Sequence, residues 1–232
     1  IKKDVVIPKG SIGNRHYEAH YKEKTYNVTY DYGYDNKSET TTATYGSKFE
    51  AETPVREGYE FVGWSYEGNP FSNGTWLIDS DATLVANWWL KSYAITYELN
   101  GGNNSEANLN LYNIETPSFS LSAPSKDGFD FVGWTGTDID VPSKNVTIEK
   151  GSTGDRKYVA NWKAHTYLVS LNSMGGDCDT STLNVEYGKE LILPKATRNG
   201  YKFAGRYNVE DNSLITDCVW NYLSDLRLYA KW

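Results

Sequence analysis

Three segments of this chain follow one plan, and a chain built of copies of itself must fold as copies of one small unit set in a row. Each segment opens on alternating apolar residues: Tyr26, Val28 and Tyr30; then Tyr93, Ile95, Tyr97 and Leu99; then Tyr167, Val169 and Leu171. Each continues with Gly-aromatic-x-Phe-x-Gly, at residues 58–63, 128–133 and 200–205, followed by Trp64, Trp134 and Arg206. Each closes on a tryptophan, Trp88, Trp162 or Trp232, spaced 74 and 70 residues apart (162−88 and 232−162). The boundaries that follow are 26–88, 93–162 (a longer subtype) and 167–232.

Residues 7–21 align without gaps on residues 148–162, with eight of fifteen positions identical. Residues 1–25 therefore read as the C-terminal fragment of a preceding repeat plus a linker, and on this reading the array continues upstream of Ile1. Residues 17–21 would be a closing strand without its sheet, which needs the first unit or a neighbouring molecule to pair its backbone.

Alternation at period two, bounded by Gly, Asn and Pro, reads as strand. The aromatic content of 15% supports it, because aromatic rings fit a pleated, half-buried surface. Each unit is expected to hold an opening strand, a second strand (near 43–45, 109–112 and 183–187), the Gly-aromatic strand and the closing strand. Gly63, Gly133 and Gly205 interrupt a strand pattern and mark a bulge or a close backbone approach. Residues 76–82 and 220–224 have room for one helical turn at most. Units of about 70 residues bury only roughly 60% of their unfolded surface, so large rings must carry the cores. Trp64, Trp88, Trp134, Trp162 and Trp232 are the expected structural anchors. The links, residues 89–92 and 163–166, are short, which favours an extended, semi-rigid array.

Chemistry is sparse. The net charge of −7 argues against nucleic acid as a partner, and no apolar run is long enough to insert into a membrane. His16 and His20 stand four apart, but on a strand that separation is roughly 13 Å along one face, too wide for a shared metal. No nucleophile, phosphate-loop or dinucleotide motif occurs, so no enzyme, no metal site and no cofactor is expected. Cys178 and Cys218 either form one bridge across forty residues or remain two separate thiols. Asp79 with Asp81, and Asp177 with Asp179, lack a complete calcium spacing and read as solvated turns. Tyr32, Tyr34, Tyr66, Phe71 and Trp89 fall outside the core pattern. If exposed, they would make a sugar-stacking surface, although Tyr32 and Tyr34 have no equivalents in the other units.

The Tyr-x-Val-Thr-Tyr opening, the Glu57-to-Trp64 run Glu-Gly-Tyr-Glu-Phe-Val-Gly-Trp and the Leu-Val-Ala-Asn-Trp closing resemble the internalin-type B repeat, also called the Listeria–Bacteroides repeat. The third unit departs from the pattern, with Arg206 for Trp and Ala196 where Pro54 and Pro124 stand. The resemblance implies small β-grasp-like units strung in tandem on the outer surface of a bacterium, attached to the cell wall through other parts of the parent protein. It implies a non-enzymatic stalk and protein-interaction module of an adhesin-like protein. The partner would be a host or neighbouring-cell surface protein, with a glycan as the alternative ligand, and the chain a monomer or a weak self-associator.

Overall fold

A computed structural model describes residues 4–232. The chain divides into two compact units, one ending at Lys91 and the other running from Ser92 to Trp232. The first holds one repeat and the second holds two.

Each repeat is built on one five-stranded sheet with the same strand order. In the first, the opening strand Thr25–Asp31 pairs antiparallel with Ser38–Thr44 and parallel with the closing strand Ala82–Leu90. The closing strand also pairs with the Gly-aromatic strand Tyr59–Tyr66, whose outer edge takes the two-residue strand Asn69–Pro70. The second repeat uses Tyr93–Glu98, Leu111–Tyr112, Phe129–Gly136, Ile139–Ser143 and Arg156–Ala164 in the corresponding places. The third uses Thr166–Asn172, Thr182–Glu186, Gly205–Asn208, Leu214–Ile215 and Leu226–Lys231. Alternation decides which face is covered. In the closing strand of the first repeat Ala82, Leu84 and Ala86 are buried, while Thr83, Val85 and Asn87 between them face solvent.

The covered face corrects the β-grasp expectation. A β-grasp fold lays a helix across its sheet, and no described residue of this chain is helical. A two-stranded ribbon and large rings lie there instead. Lys48–Phe49 pairs with Gly74–Thr75, and Phe49 packs on Trp76 with ring centroids 4.8 Å apart. Ribbons Phe119–Ser120 with Thr147–Ile148, and Glu190–Leu191 with Cys218–Val219, take the same place in the other repeats. The connections explain the outcome: Gly46, Pro54 and Gly58, then Gly68, Pro70 and Gly74, interrupt them too often for a stable helix. Residues 76–82 and 220–224 contain no helical turn either.

The N-terminal expectation is also corrected. Residues 4–24 form no strand and their side chains are exposed, with only a turn in which the Ser11 N–H donates to the Pro8 carbonyl at 3.3 Å. A lone strand has no sheet partner for its backbone groups, so none forms here. His16 and His20 therefore lie on irregular, exposed chain, with His20 4.0 Å from Glu18.

In the first two repeats the register of the Gly-aromatic strand shifts between Phe61 and Gly63 and between Phe131 and Gly133, which is a β-bulge. The bulge turns Trp64 and Trp134 into the cores, where they are 6% and 0% exposed.

Burial also shows in acid–base behaviour. The Tyr97 hydroxyl donates to the Leu109 carbonyl at 2.7 Å, and its ring lies 5.6 Å from Trp134. Burial first, then the Tyr158 phenol, push its pKa up from 10.0 to about 12. The unfolded chain releases this proton near pH 10 and the folded chain near 12, so alkali favours unfolding across that window. We expect stability to fall as pH rises from 10 to 12, and Tyr97→Phe to remove that part of the slope. Urea melts of both proteins at several pH values measure it, and parallel slopes would contradict it.

Candidate interaction surfaces

Trp64, Trp88, Trp134 and Trp162 lie in or against the cores of their repeats, Trp232 packs on Phe203, and the closing tryptophans share one task. Trp88 Nε1 donates to the Tyr32 carbonyl at 2.8 Å, Trp162 to Leu99 at 2.9 Å and Trp232 to Ser173 at 3.0 Å. Each indole thus ties the loop after the opening strand to the end of the repeat. The Phe of the motif stacks edge-on against it, with centroids 5.4 to 5.6 Å apart in the three repeats. Trp76 and Trp220, 1% and 0% exposed, are core anchors as complete as the five expected ones. The Nε1 atoms of Trp76, Trp134 and Trp220 have no acceptor among the described residues.

The third repeat shows how an arginine replaces a tryptophan. Trp64 Nε1 donates to the carbonyl of Glu52, twelve residues earlier, at 2.8 Å. In the second repeat the equivalent carbonyl, Ser122, takes the Asn108 amide at 3.1 Å, and Asn108 Oδ1 accepts from the Ser122 N–H at 2.7 Å. In the third, Arg206 reaches the Pro194 carbonyl at 3.4 Å and the Asn172 carbonyl at 3.3 Å. Three side-chain types therefore serve the same part-buried carbonyl position. Arg206 is 2% exposed, and its Nη2 also lies 3.0 Å from Cys178 Sγ. Cys178 and Cys218 are separate, half-buried thiols, with Cys218 facing Leu191 in the ribbon.

Two repeated devices escaped the sequence reading. Asp81, Asp155 and Asp225 each stand seven residues before a closing tryptophan. Each carboxylate accepts the backbone N–H of the neighbouring opening strand, from Asn27, Ala94 and Leu168, at 2.8, 2.8 and 2.9 Å. Asp81 is thus a strand clamp. A basic residue two before each motif glycine covers the next aromatic ring: Arg56 over Tyr59 at 3.6 Å, Lys126 over Phe129 at 4.2 Å and Arg198 over Tyr201 at 4.1 Å. Cation–π contacts at partly exposed sites are worth about 0.5–1 kcal/mol each.

The sugar-stacking candidates separate. Tyr32 is buried at 6% exposure against Trp64, which corrects its expected exposure. Tyr34, Tyr66 and Phe71 are half-buried and pack on the same core. The loop after the opening strand folds back under Trp88 and takes Tyr32 and Tyr34 with it. Only Trp89 of the five stands free, 69% exposed opposite Glu60.

Within the second unit the closing strand Arg156–Ala164 passes into the opening strand Thr166–Asn172 through His165 alone. The His165 N–H donates to the Gly128 carbonyl at 2.9 Å, and its carbonyl accepts the Tyr187 N–H at 2.9 Å. Its Nε2 lies 2.7 Å from Asp130. Tyr187 of the third repeat packs edge-on against Phe129 of the second at 5.6 Å. This is a two-repeat seam, fixed by backbone and rings together.

No group of three or more His, Cys, Asp or Glu among the described residues is arranged to hold a metal. No helix among them is long and apolar enough to cross a membrane.

Comparison with known proteins places these features in a family. The chain is 29% identical over 237 positions to a putative Gly-rich membrane protein of Evansella cellulosilytica, covering 92% of this chain and 26% of that protein. It is 27% identical over 223 positions to a putative membrane protein of the same organism, covering 92% and 32%. Internalin H of Listeria monocytogenes is 28% identical over 132 residues, half of this chain and 23% of that protein. The chain thus spans about a third or less of the length of these relatives. The model of the Listeria-Bacteroides repeat domain matches residues 26–87, 93–157 and 167–231. The chain is built of repeats, and it belongs to the Listeria–Bacteroides repeat domain family.

Proposed function

We propose that the chain is a spacer and protein-interaction module of an adhesin-like protein on the outer bacterial surface. It would be made of repeat domains at 26–88, 93–162 and 167–232 and held to the cell by other parts of the parent. The observation that carries the spacer role is the seam at His165. One linking residue, two backbone hydrogen bonds and a Tyr187–Phe129 contact leave the third repeat little freedom against the second. A spacer must hold its far end at a set distance, and short, packed links do that where flexible ones collapse. The partner we favour is a protein on a host or neighbouring cell. The carbohydrate alternative rests on Trp89 alone, and one free ring is a poor platform for a glycan.

Limited proteolysis tests the seam. Trypsin is expected to leave the Lys163–Ala164 bond intact while the exposed basic residues of 9–24 are cut. Early release of the third repeat as a separate fragment would count against the spacer.

A further inference from the structure

We propose that the entry face of the first repeat is a docking socket for the Gly-aromatic-acidic turn of another repeat of this kind, joined in line ahead of Lys24. The His165 seam supplies the template. There, Tyr187 follows the second strand of the third repeat, its N–H donates to the linking residue's carbonyl, and its ring lies on the glycine turn of the preceding repeat. A Cβ on Gly128 would stand 2.3 Å from the Tyr187 ring, so the turn must present a glycine for the ring to seat.

The first repeat carries the same receiving parts without the turn. Tyr45 follows the second strand Ser38–Thr44, and its N–H donates to the Lys24 carbonyl at 2.9 Å, the bond that Tyr187 makes to His165. The next residues match as well. Gly46 donates to the Trp76 carbonyl and Gly188 to the Trp220 carbonyl, both at 2.8 Å. Yet no aromatic ring or cation packs on Tyr45 among the described residues, and it is 46% exposed where Tyr187 is half-buried. With Lys24, Tyr26 and Asp79 it lines an open cleft of about 320 Å³.

Charge specifies the occupant further. At the seam His165 meets Asp130, two residues after the motif glycine. Lys24 stands in the position of His165, exposed and with no carboxylate partner among the described residues. The turn that fits is therefore Gly-aromatic-acidic, the form of Gly128-Phe129-Asp130 and Gly58-Tyr59-Glu60 but not of Gly200-Tyr201-Lys202. The register agrees, since the alignment of residues 7–21 on 148–162 continues without gaps to set Lys24 on His165. A half-exposed tyrosine beside an unpaired cation is the kind of group that anchors an interface.

The test replaces residues 1–23 with a second copy of residues 93–164 joined directly to Lys24. Tyr45 is the only tyrosine in the tryptic peptide of residues 38–48, so its nitration by tetranitromethane is read without ambiguity. In the unextended chain Tyr45 is expected to react readily and Tyr187 slowly. In the extended chain Tyr45 reactivity should fall to that of Tyr187, and trypsin cleavage after Lys24 should slow with it. Asp130→Lys made in the added copy alone should restore part of both. Tyr45 and Lys24 as reactive as before would overturn the proposal. Protection that instead appears in the unextended chain as its concentration rises would overturn it in favour of a second copy of the chain.

Discussion

Trp220→Ala is expected to unfold the third repeat under conditions where the first unit keeps its structure. The indole is fully buried, with Tyr222 and Tyr167 rings 5.1 and 6.0 Å away, and its backbone closes the second-strand turn through Gly188 and Lys189. Truncating a buried tryptophan costs about 3–5 kcal/mol, and a single small core rarely supplies more than about 3–5 kcal/mol. The loss therefore matches the whole stability of the repeat. Hydrogen exchange resolved by peptide should show full loss of protection across Leu226–Lys231 and retained protection across Ala82–Leu90. Trp220→Phe should be much milder, since it keeps a ring and deletes an N–H that has no acceptor among the described residues. Equal damage from both substitutions would show that the packing argument is wrong.

Gly176→Ala should be the most damaging single methyl in the third repeat. Its Cβ would lie 2.3 Å from Trp232 Cζ2 and 2.6 Å from the Thr197 carbonyl oxygen. Neither neighbour yields easily. The indole is pinned by its bond to Ser173, and Thr197 exchanges backbone bonds with Asp177 at 2.7 and 2.9 Å. Overpacking of this kind costs about 1–3 kcal/mol. A Cβ on Gly102 would meet Trp162 Cζ2 at 2.5 Å and the Ser125 carbonyl oxygen at 2.9 Å, so Gly102→Ala should weaken the second repeat in the same way. A double-mutant cycle with Trp232→Phe checks the cause, because a smaller ring should relieve part of the clash and the two effects should fail to add. Additive effects, or an unchanged urea midpoint for Gly176→Ala, would refute it.

These contacts show what the sequence made legible. Strict alternation in residues 82–88 and 26–30 is a direct record of a half-buried sheet, and the motif glycines announced the bulges. The strand clamps were equally written down, since an aspartate stands seven residues before every closing tryptophan, but a carboxylate in a turn reads as solvated until its acceptor geometry is seen. The cations before each motif glycine were missed for the same reason. Other features depend on long-range placement that period and composition do not encode. Tyr32 looks like a loop aromatic until the Trp88 indole takes its carbonyl and draws the loop inward. The β-grasp likeness implied by the family resemblance failed because a short ribbon and a tryptophan cover the face by themselves. Arg206 departs from the tryptophan pattern, yet it serves the carbonyl twelve residues back as Trp64 does.

The parallel pairing of opening and closing strands has a mechanical consequence. Val28 lies beside Ala82, Ile95 beside Arg156 and Val169 beside Leu226, with both strands of each pair running the same way. The chain therefore enters each repeat at one end of its central strand pair and leaves at the other. A pull on the two ends loads that pair lengthwise, and its ladder bonds must break together instead of unzipping one by one. A domain tethered through such repeats and tugged by flow would meet its strongest resistance along the axis on which it is held.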